Sequence, residues 1–297
     1  MKNLLLASTV LVASATIANA QAVTISGEGR MGIFAVDAGV WRWSQDHSLS
    51  LDFNVIVEAD HGLTFGAWTE AEMASAWLPG RGTAAIGVFS GSRVWVESNG
   101  LRLTFGNSDG AINSYGTAVG SCGVGYAGEG VAFTGICGDQ GLVPFVAHAE
   151  GDPAPQAMIS YEGENYGFAV SNERGVSTEV AGHYTYGAVT VAAGYSDVAN
   201  GFWTVSGHYD GGSWGVGALY SVLELGVALE GWALQGNVDL YGGTLYAFYG
   251  EGLASEAYGI SYGYGLGGGA ELEAGVEQAN TPLGDITTVS VGVNFSF

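Results

Sequence analysis

The chain has 297 residues and a formal net charge of −22, from 29 Asp and Glu against 7 Lys and Arg. That balance excludes a basic surface for nucleic acid. Only 12% of residues are charged, against about 25% in soluble domains, so an ordinary water-soluble design is also disfavoured.

The first segment, MKNLLLASTVLVASATIANA, has Lys2, an apolar run from Leu4 and a closing Ala18-Asn19-Ala20. This is the pattern of a secretory signal peptide over residues 1–20, with an A-x-A cleavage site. Cleavage after Ala22 is the alternative. The run is too short, and too rich in Ala, Ser and Thr, for a spanning helix. Export places Cys122 and Cys137 in an oxidising compartment.

From residue 21 onward the sequence alternates with period two, the signature of a strand. In VTISGEGRMGIF, Val23, Ile25, Met31 and Ile33 share one face, and Thr24, Ser26, Glu28 and Arg30 the other. In SLSLDFNVIVE, Leu49, Leu51, Phe53, Val55 and Val57 oppose Ser48, Ser50, Asp52, Asn54 and Glu58. After ADHG comes LTFGAWTEAE, with inward acids Glu70 and Glu72. VWVE, the turn SNG and LRLTFG then form a hairpin, with Arg93, Trp95, Glu97, Arg102 and Thr104 inward.

The segment 107–155 has no strand pattern. Beyond it follow AMISYE, YGFAVS, EVAGHYTY, VTVAAGYS, FWTVSGHY, SWGVGALYS, GVALEGWALQGNVDL, TLYAFYGE, EAYGISYGYG, AELEAGVEQ and ITTVSVGVNFSF, which brings the total to 16 strands. Ser221 to Gln235 would also suit a short helix, but Gly226 and Gly231 count against it. The glycine-rich GYGLGGG reads as a tight turn between strands, not a phosphate loop.

Strands without a second long apolar run point to lipid as part of the solvent. There the backbone must satisfy its own hydrogen bonds, so only a closed barrel remains. The expected fold is therefore an all-β transmembrane antiparallel barrel over residues 21–297. Spanning strands take about 9–11 residues each, and 16 to 18 of them enclose an aqueous channel. The terminal VSVGVNFSF needs no protein cover, because lipid covers it. Tyr184, Tyr186, Trp203, Trp214 and Tyr241 read as interfacial girdles, or as packing between subunits.

The long loop carries Asp109, Glu129, Asp139, Glu150 and Asp152 and no Lys or Arg. One reading is a surface loop with solvated acids. The other is a constriction loop folded into the lumen and lined with carboxylates. Glu129 and Asp139 are hard oxygen donors for calcium, with plain solvated carboxylates as the competing reading. The pore-wall candidates are Arg30, Arg93 and Arg102 with Glu28, Asp52 and Glu58. Arg42 lies near the first loop. Glu28 is two residues from Arg30 and Glu97 four from Arg93. No histidine spacing suits a metal. Asp46-His47 and Asp60-His61 are adjacent and would point to opposite faces of a strand. No catalytic residues are expected, and the chain reads as no enzyme.

ISGEGRMGI, HGLTFGAWTEAE, LRLTFGNSDGAINS and the closing YGLGGGAELEAGVEQANTPLGDITTVSVGVNFSF together carry a resemblance. The chain resembles the Gram-negative general-diffusion porin family, of the alphaproteobacterial (Rhodobacter-like) type. The resemblance implies a 16-stranded outer-membrane barrel, usually a homotrimer, set among bilayer lipid and lipopolysaccharide. It implies passive diffusion of small hydrophilic solutes through a water-filled channel. It makes Phe297 part of the signal read by the outer-membrane assembly machinery. It also implies a third external loop folded inward, facing a cluster of basic wall residues. Here the wall is poorer in cations than that pattern, so a preference for cations is expected. The alternative is a channel selective for a sugar or similar solute, with Trp41, Trp43 and Trp95 as a binding track. A structural or adhesive barrel with a blocked lumen is a further reading.

Cys122 and Cys137 are expected to form a disulfide. It closes a loop of about 15 residues and removes about 3 kcal/mol of unfolded-state disorder. Thiol labelling of the unreduced, unfolded protein should modify neither cysteine, and labelling of both would overturn the pairing.

Overall fold

The computed structural model describes residues 21–78, 82–89, 91–119, 156–252, 255–282 and 284–297. The expected signal peptide, residues 1–20, lies outside them. β1 (Gln21–Asp37), β2 (Trp41–Glu58) and β3 (Thr64–Leu78) form an antiparallel meander. β4 (Gly82–Phe89) and β5 (Arg93–Ser98) both pair with β3. The register steps by one residue between Ala71–Phe89 and Trp68–Arg93, as at a β-bulge. β4 and β5 are therefore two lengths of one stave.

β6 (Leu101–Gly106) follows β5 through a turn at Asn99 and Gly100, with φ 51° and 80°. Positive φ at both central residues is what a two-residue hairpin loop requires. A short helix, α1 (Ala111–Tyr115), opens the long loop. β7 (Gln156–Glu162), β8 (Tyr166–Glu173), β9 (Ser177–Tyr186), β10 (Val189–Ser196) and β11 (Phe202–Asp210) come next. β12 (Trp214–Glu224), β13 (Ala228–Leu240), β14 (Gly243–Gly252), β15 (Ser255–Gly267), β16 (Ala270–Thr281) and β17 (Gly284–Ser296) complete the chain.

Each stave pairs antiparallel with the next, and β17 pairs with β1, from Glu28 opposite Ser296 to Asp37 opposite Thr287. With β4 and β5 counted together, the barrel has the expected 16 staves. The stretch that also suited a helix is strand, since β12 and β13 meet across a turn at Gly226, φ 86°.

The cross-strand pairs keep one phase around the barrel. Ile25 opposes Phe53, and Val55 opposes Ala67, on the outer face. Ser26 opposes Asp52, and Asp52 opposes Glu70, on the inner face. Tyr184, Tyr186, Trp203, Trp214 and Tyr241 are exposed, and all but Tyr241, which sits in a turn, lie on the outer side of their strands. The largest buried apolar cluster is not a central core. It forms where α1 meets the inner wall: Ala111 and Ile112 pack with Met158, Ala169, Ala181, Phe202 and Leu223.

This phase separates two adjacent positions. Leu51→Arg puts a charge on the lipid face and should cost about 2–4 kcal/mol near the membrane midplane. Ser50→Arg puts the same charge in the lumen and should be tolerated. Urea unfolding of the two barrels in lipid vesicles measures the difference, and equal losses would show the phase to be reversed.

Candidate functional site: the lumen wall and the root of the long loop

The strand phase places Glu28, Arg30, Arg42, Asp52, Glu58, Arg93 and Arg102 on the inner face. The site residues expected on the wall therefore share the lumen. Their partners differ in part from the sequence expectation. Arg30 Nε lies 3.2 Å from Asp46 Oδ2, one strand away, a carboxylate that the same-strand count from Glu28 does not supply. Glu97 is bonded by Arg102, whose Nε donates to Glu97 Oε2 at 2.7 Å. It is opposite Arg102 in the β5–β6 pairing, which brings the two closer than a same-strand neighbour four residues away. Arg42 is part of β2 and lies opposite Val36 on β1.

Glu28, Ser50, Asp52, Glu70, Trp68 and Arg93 border a recess of about 580 Å³ in the wall of the first staves. Trp68 Nε1–H donates to Asp52 Oδ1 at 2.9 Å. That bond relieves part of the strain of facing Asp52 directly with Glu70, since like charges opposite each other destabilise a sheet.

The root of the long loop lies against the opposite wall. Ala111 N–H donates to Ser171 Oγ at 2.8 Å, Ile112 N–H to Glu179 Oε2 at 3.1 Å, and Ala118 N–H to Ser206 Oγ at 2.7 Å. Ser171, Glu179 and Ser206 are inward residues of β8, β9 and β11. The Tyr115 ring stacks on His183 with centroids 5.8 Å apart, and His183 Nε2 is 3.5 Å from Glu162 Oε1. Residues 111–118 are thus held against the inner wall. Asp109 sits in this root, partly buried, with Oδ1 enclosed. Glu129, Asp139, Glu150, Asp152, Cys122 and Cys137 lie outside the described residues. Among the described residues no group of His, Cys, Asp and Glu is placed to hold a metal.

The tryptophan track is corrected. Trp41 and Trp43 pair with Asp37 and Ala35 on the outer face, and Trp43 is 70% exposed. β2 begins at Trp41, seven residues before the expected strand, and its phase carries both rings outward. Only Trp95 of the three faces the lumen, opposite Gly66 and Thr104. The sequence reading also missed Trp68 as a wall residue, Asp46 as the partner of Arg30, and the inward Glu271, Glu273 and Glu277 of β16. Asp46 lies two residues ahead of the expected strand start, whereas Trp68 shares the parity of Glu70 and Glu72, and Glu271, Glu273 and Glu277 alternate within AELEAGVEQ, so the period-two count inside those strands would have found these four.

Phe297 closes the seam. Gly27 N–H donates to Phe297 O, and Phe297 N–H to Gly27 O, each at 3.0 Å. Its ring is 60% exposed and lies 6.3 Å from that of Phe295.

The family model described as Gram-negative porin matches residues 7–282. Among solved structures, a triple mutant of the Rh. blastica porin gives a TM-score of 0.75 at 20% identity, covering 93% of this chain and 100% of that one. A second triple mutant, printed as Rhodopseudomonas blastica porin, gives 0.73 at 20% identity with the same coverage. At that identity the likeness shows the fold. Comparison with curated proteins gives no match.

Glu179 is 1% exposed and accepts an amide hydrogen of α1. Glu179→Ala leaves that amide without its acceptor, a loss of about 1–3 kcal/mol for a buried donor. The loop root should loosen while the barrel stays closed. Limited proteolysis should then cut within residues 107–155 faster than in the parent, and unchanged cutting would show that Glu179 is not an anchor.

Proposed function

The chain belongs to the Gram-negative porin family and is an outer-membrane channel, and we propose that it passes small hydrophilic solutes by passive diffusion with a preference for cations. What supports the preference is the state of the wall arginines. Arg30 is paired with Asp46, Arg102 with Glu97, and the Arg93 guanidinium lies over the Trp68 ring at 4.0 Å. Meanwhile Glu28, Asp52 and Glu70 border the recess, and Glu271, Glu273 and Glu277 add acids on β16. A low-dielectric wall focuses such a field and concentrates cations in the lumen.

The chain acts as a channel in this reading, not as an enzyme: Asp46 and His47 stand on opposite faces of β2, so they form no dyad. The sugar-selective alternative loses its track with Trp41 and Trp43 outside. We further propose that residues 1–20 are removed on export. The barrel then works as a homotrimer amid lipopolysaccharide, and the exposed Phe297 serves the assembly machinery as the recognised end.

Reversal potentials across a salt gradient test the preference. They should carry the cation-selective sign at low salt. They should shrink as salt rises, because the Debye length falls from about 10 Å at 0.1 M to about 3 Å at 1 M. A potential near zero, or one of anion-selective sign, at low salt would sink the reading.

A further inference from the structure

The inner wall is built of two unlike halves. On β1, β2, β3 and β5 the inward positions include Glu28, Arg30, Asp52, Trp68, Glu70 and Arg93, all large or charged. On β8, β9, β10 and β12 they include Ala169, Ala181, Gly194 and Gly217. The loop root lies on this second, thinner half. Its amides at Ala111, Ile112 and Ala118 donate to Ser171, Glu179 and Ser206, which fixes where it stands along the wall.

How close it stands is a separate matter, and two glycines bear on it. A Cβ at Gly194 would come within 2.8 Å of Ile112 Cγ1, and one at Gly217 within 2.5 Å of Val119 Cγ1. Ordinary carbon contact needs about 3.5–4.0 Å, so a methyl group at either position asks for roughly 1 Å of extra room. The strands cannot yield it. β10 is bonded to β9 and β11 along its length, and β12 to β11 and β13. The two loop side chains have little freedom to turn aside. Both are β-branched and stiff at χ1. Ile112 is 3% exposed, in a cluster with Met158, Ala181 and Phe202, and Val119 is 5% exposed. The room therefore comes from the loop root, which moves off the wall and into the lumen.

We infer that Gly194 and Gly217 are specificity-determining positioning residues: by lacking a Cβ they let the loop root seat deep in the wall, and so they set the width of the lumen and the size of solute that passes. The inference rests on the passive-diffusion reading above.

The test uses the full barrel in planar bilayers at 1 M potassium chloride. There a Debye length of about 3 Å screens the wall charges, and conductance reports width. Gly194→Ala and Gly217→Ala, on separate strands, should each lower the single-channel conductance, and Gly217→Val should lower it further. Val119→Ala removes the methyl that meets the new Cβ, so adding it to Gly217→Ala should restore the parental value. Gly265→Ala is the control. This inward glycine lies opposite Glu271, with nothing within 4 Å of its Cβ position, and its variant should conduct like the parent. In proteoliposome swelling, Gly217→Ala should slow a trisaccharide more than a pentose. Parental or higher conductance in both alanine variants overturns the inference, as does a fall that Val119→Ala fails to reverse. Swelling of the parent that saturates with sugar concentration sinks the passive-diffusion reading instead, and the change in salt conductance between parent and variant still decides the role of the two glycines.

Discussion

Everything in this molecule depends on closing the sheet. In lipid no water is present to satisfy an edge strand, and each orphan amide costs several kcal/mol. The seam between β1 and β17 removes both edges, and it runs to the last residue, where Gly27 and Phe297 exchange two backbone bonds. Gly27 and Gly29 face outward there, and the rings of Phe297 and Phe295 lie against them. A side chain at either glycine would meet an aromatic ring, so the seam depends on small residues on β1 facing large ones on β17. Once the seam is made, the pairing phase is fixed all the way round. Lipid and lumen positions then follow by alternation alone.

Closure also inverts the usual place of the core. The outer face meets lipid and the inner face meets water, so the wall has no dry centre to fill. The packed apolar cluster appears where the long loop turns back inside, around Ala111 and Ile112. That cluster is small, and it is supplemented by amide bonds to Ser171, Glu179 and Ser206. Buried polar anchors make sense here. A loop entering a wet lumen brings unsatisfied amides with it, and they are silent only if the wall offers acceptors.

The fold was largely legible from the sequence because period two is a strong signal and nearly every stave carries it. Ser221–Gln235 was ambiguous because Leu and Ala suit a helix, yet the glycines and the register made it strand. β4 carries the weakest signal: GTAAIGVF alternates small apolar residues too weakly to stand out, and the bulge before Arg93 breaks the phase. Trp41 and Trp43 were misplaced by assigning the strand too late in the chain. The candidate site was legible as a set of inward residues but not as a set of pairs. Arg30 finds Asp46 and Arg102 finds Glu97 across strands, where cross-strand neighbours sit at about 4.5–5.5 Å, and only the register says who is opposite whom. The loop acids Glu129, Asp139, Glu150 and Asp152 and both cysteines lie outside the described residues, and composition alone carries them.

The inner-wall glycines show how calibre and charge are set together. Gly66 lies beneath the Trp95 indole, which a side chain there would displace. Gly167 lies beneath Tyr115 and His183, and Cβ atoms at Gly194 and Gly217 would come within 2.8 Å of Ile112 and 2.5 Å of Val119. At each of these positions something large lies flat on the wall because the strand beneath it has no Cβ. The same economy applies to charge. An arginine laid on an indole or against a carboxylate stays ionised, yet it projects less positive potential into the lumen than one extended into water. The field of this pore therefore depends on which charges the wall lets stand up, and a count of acidic and basic residues cannot supply that.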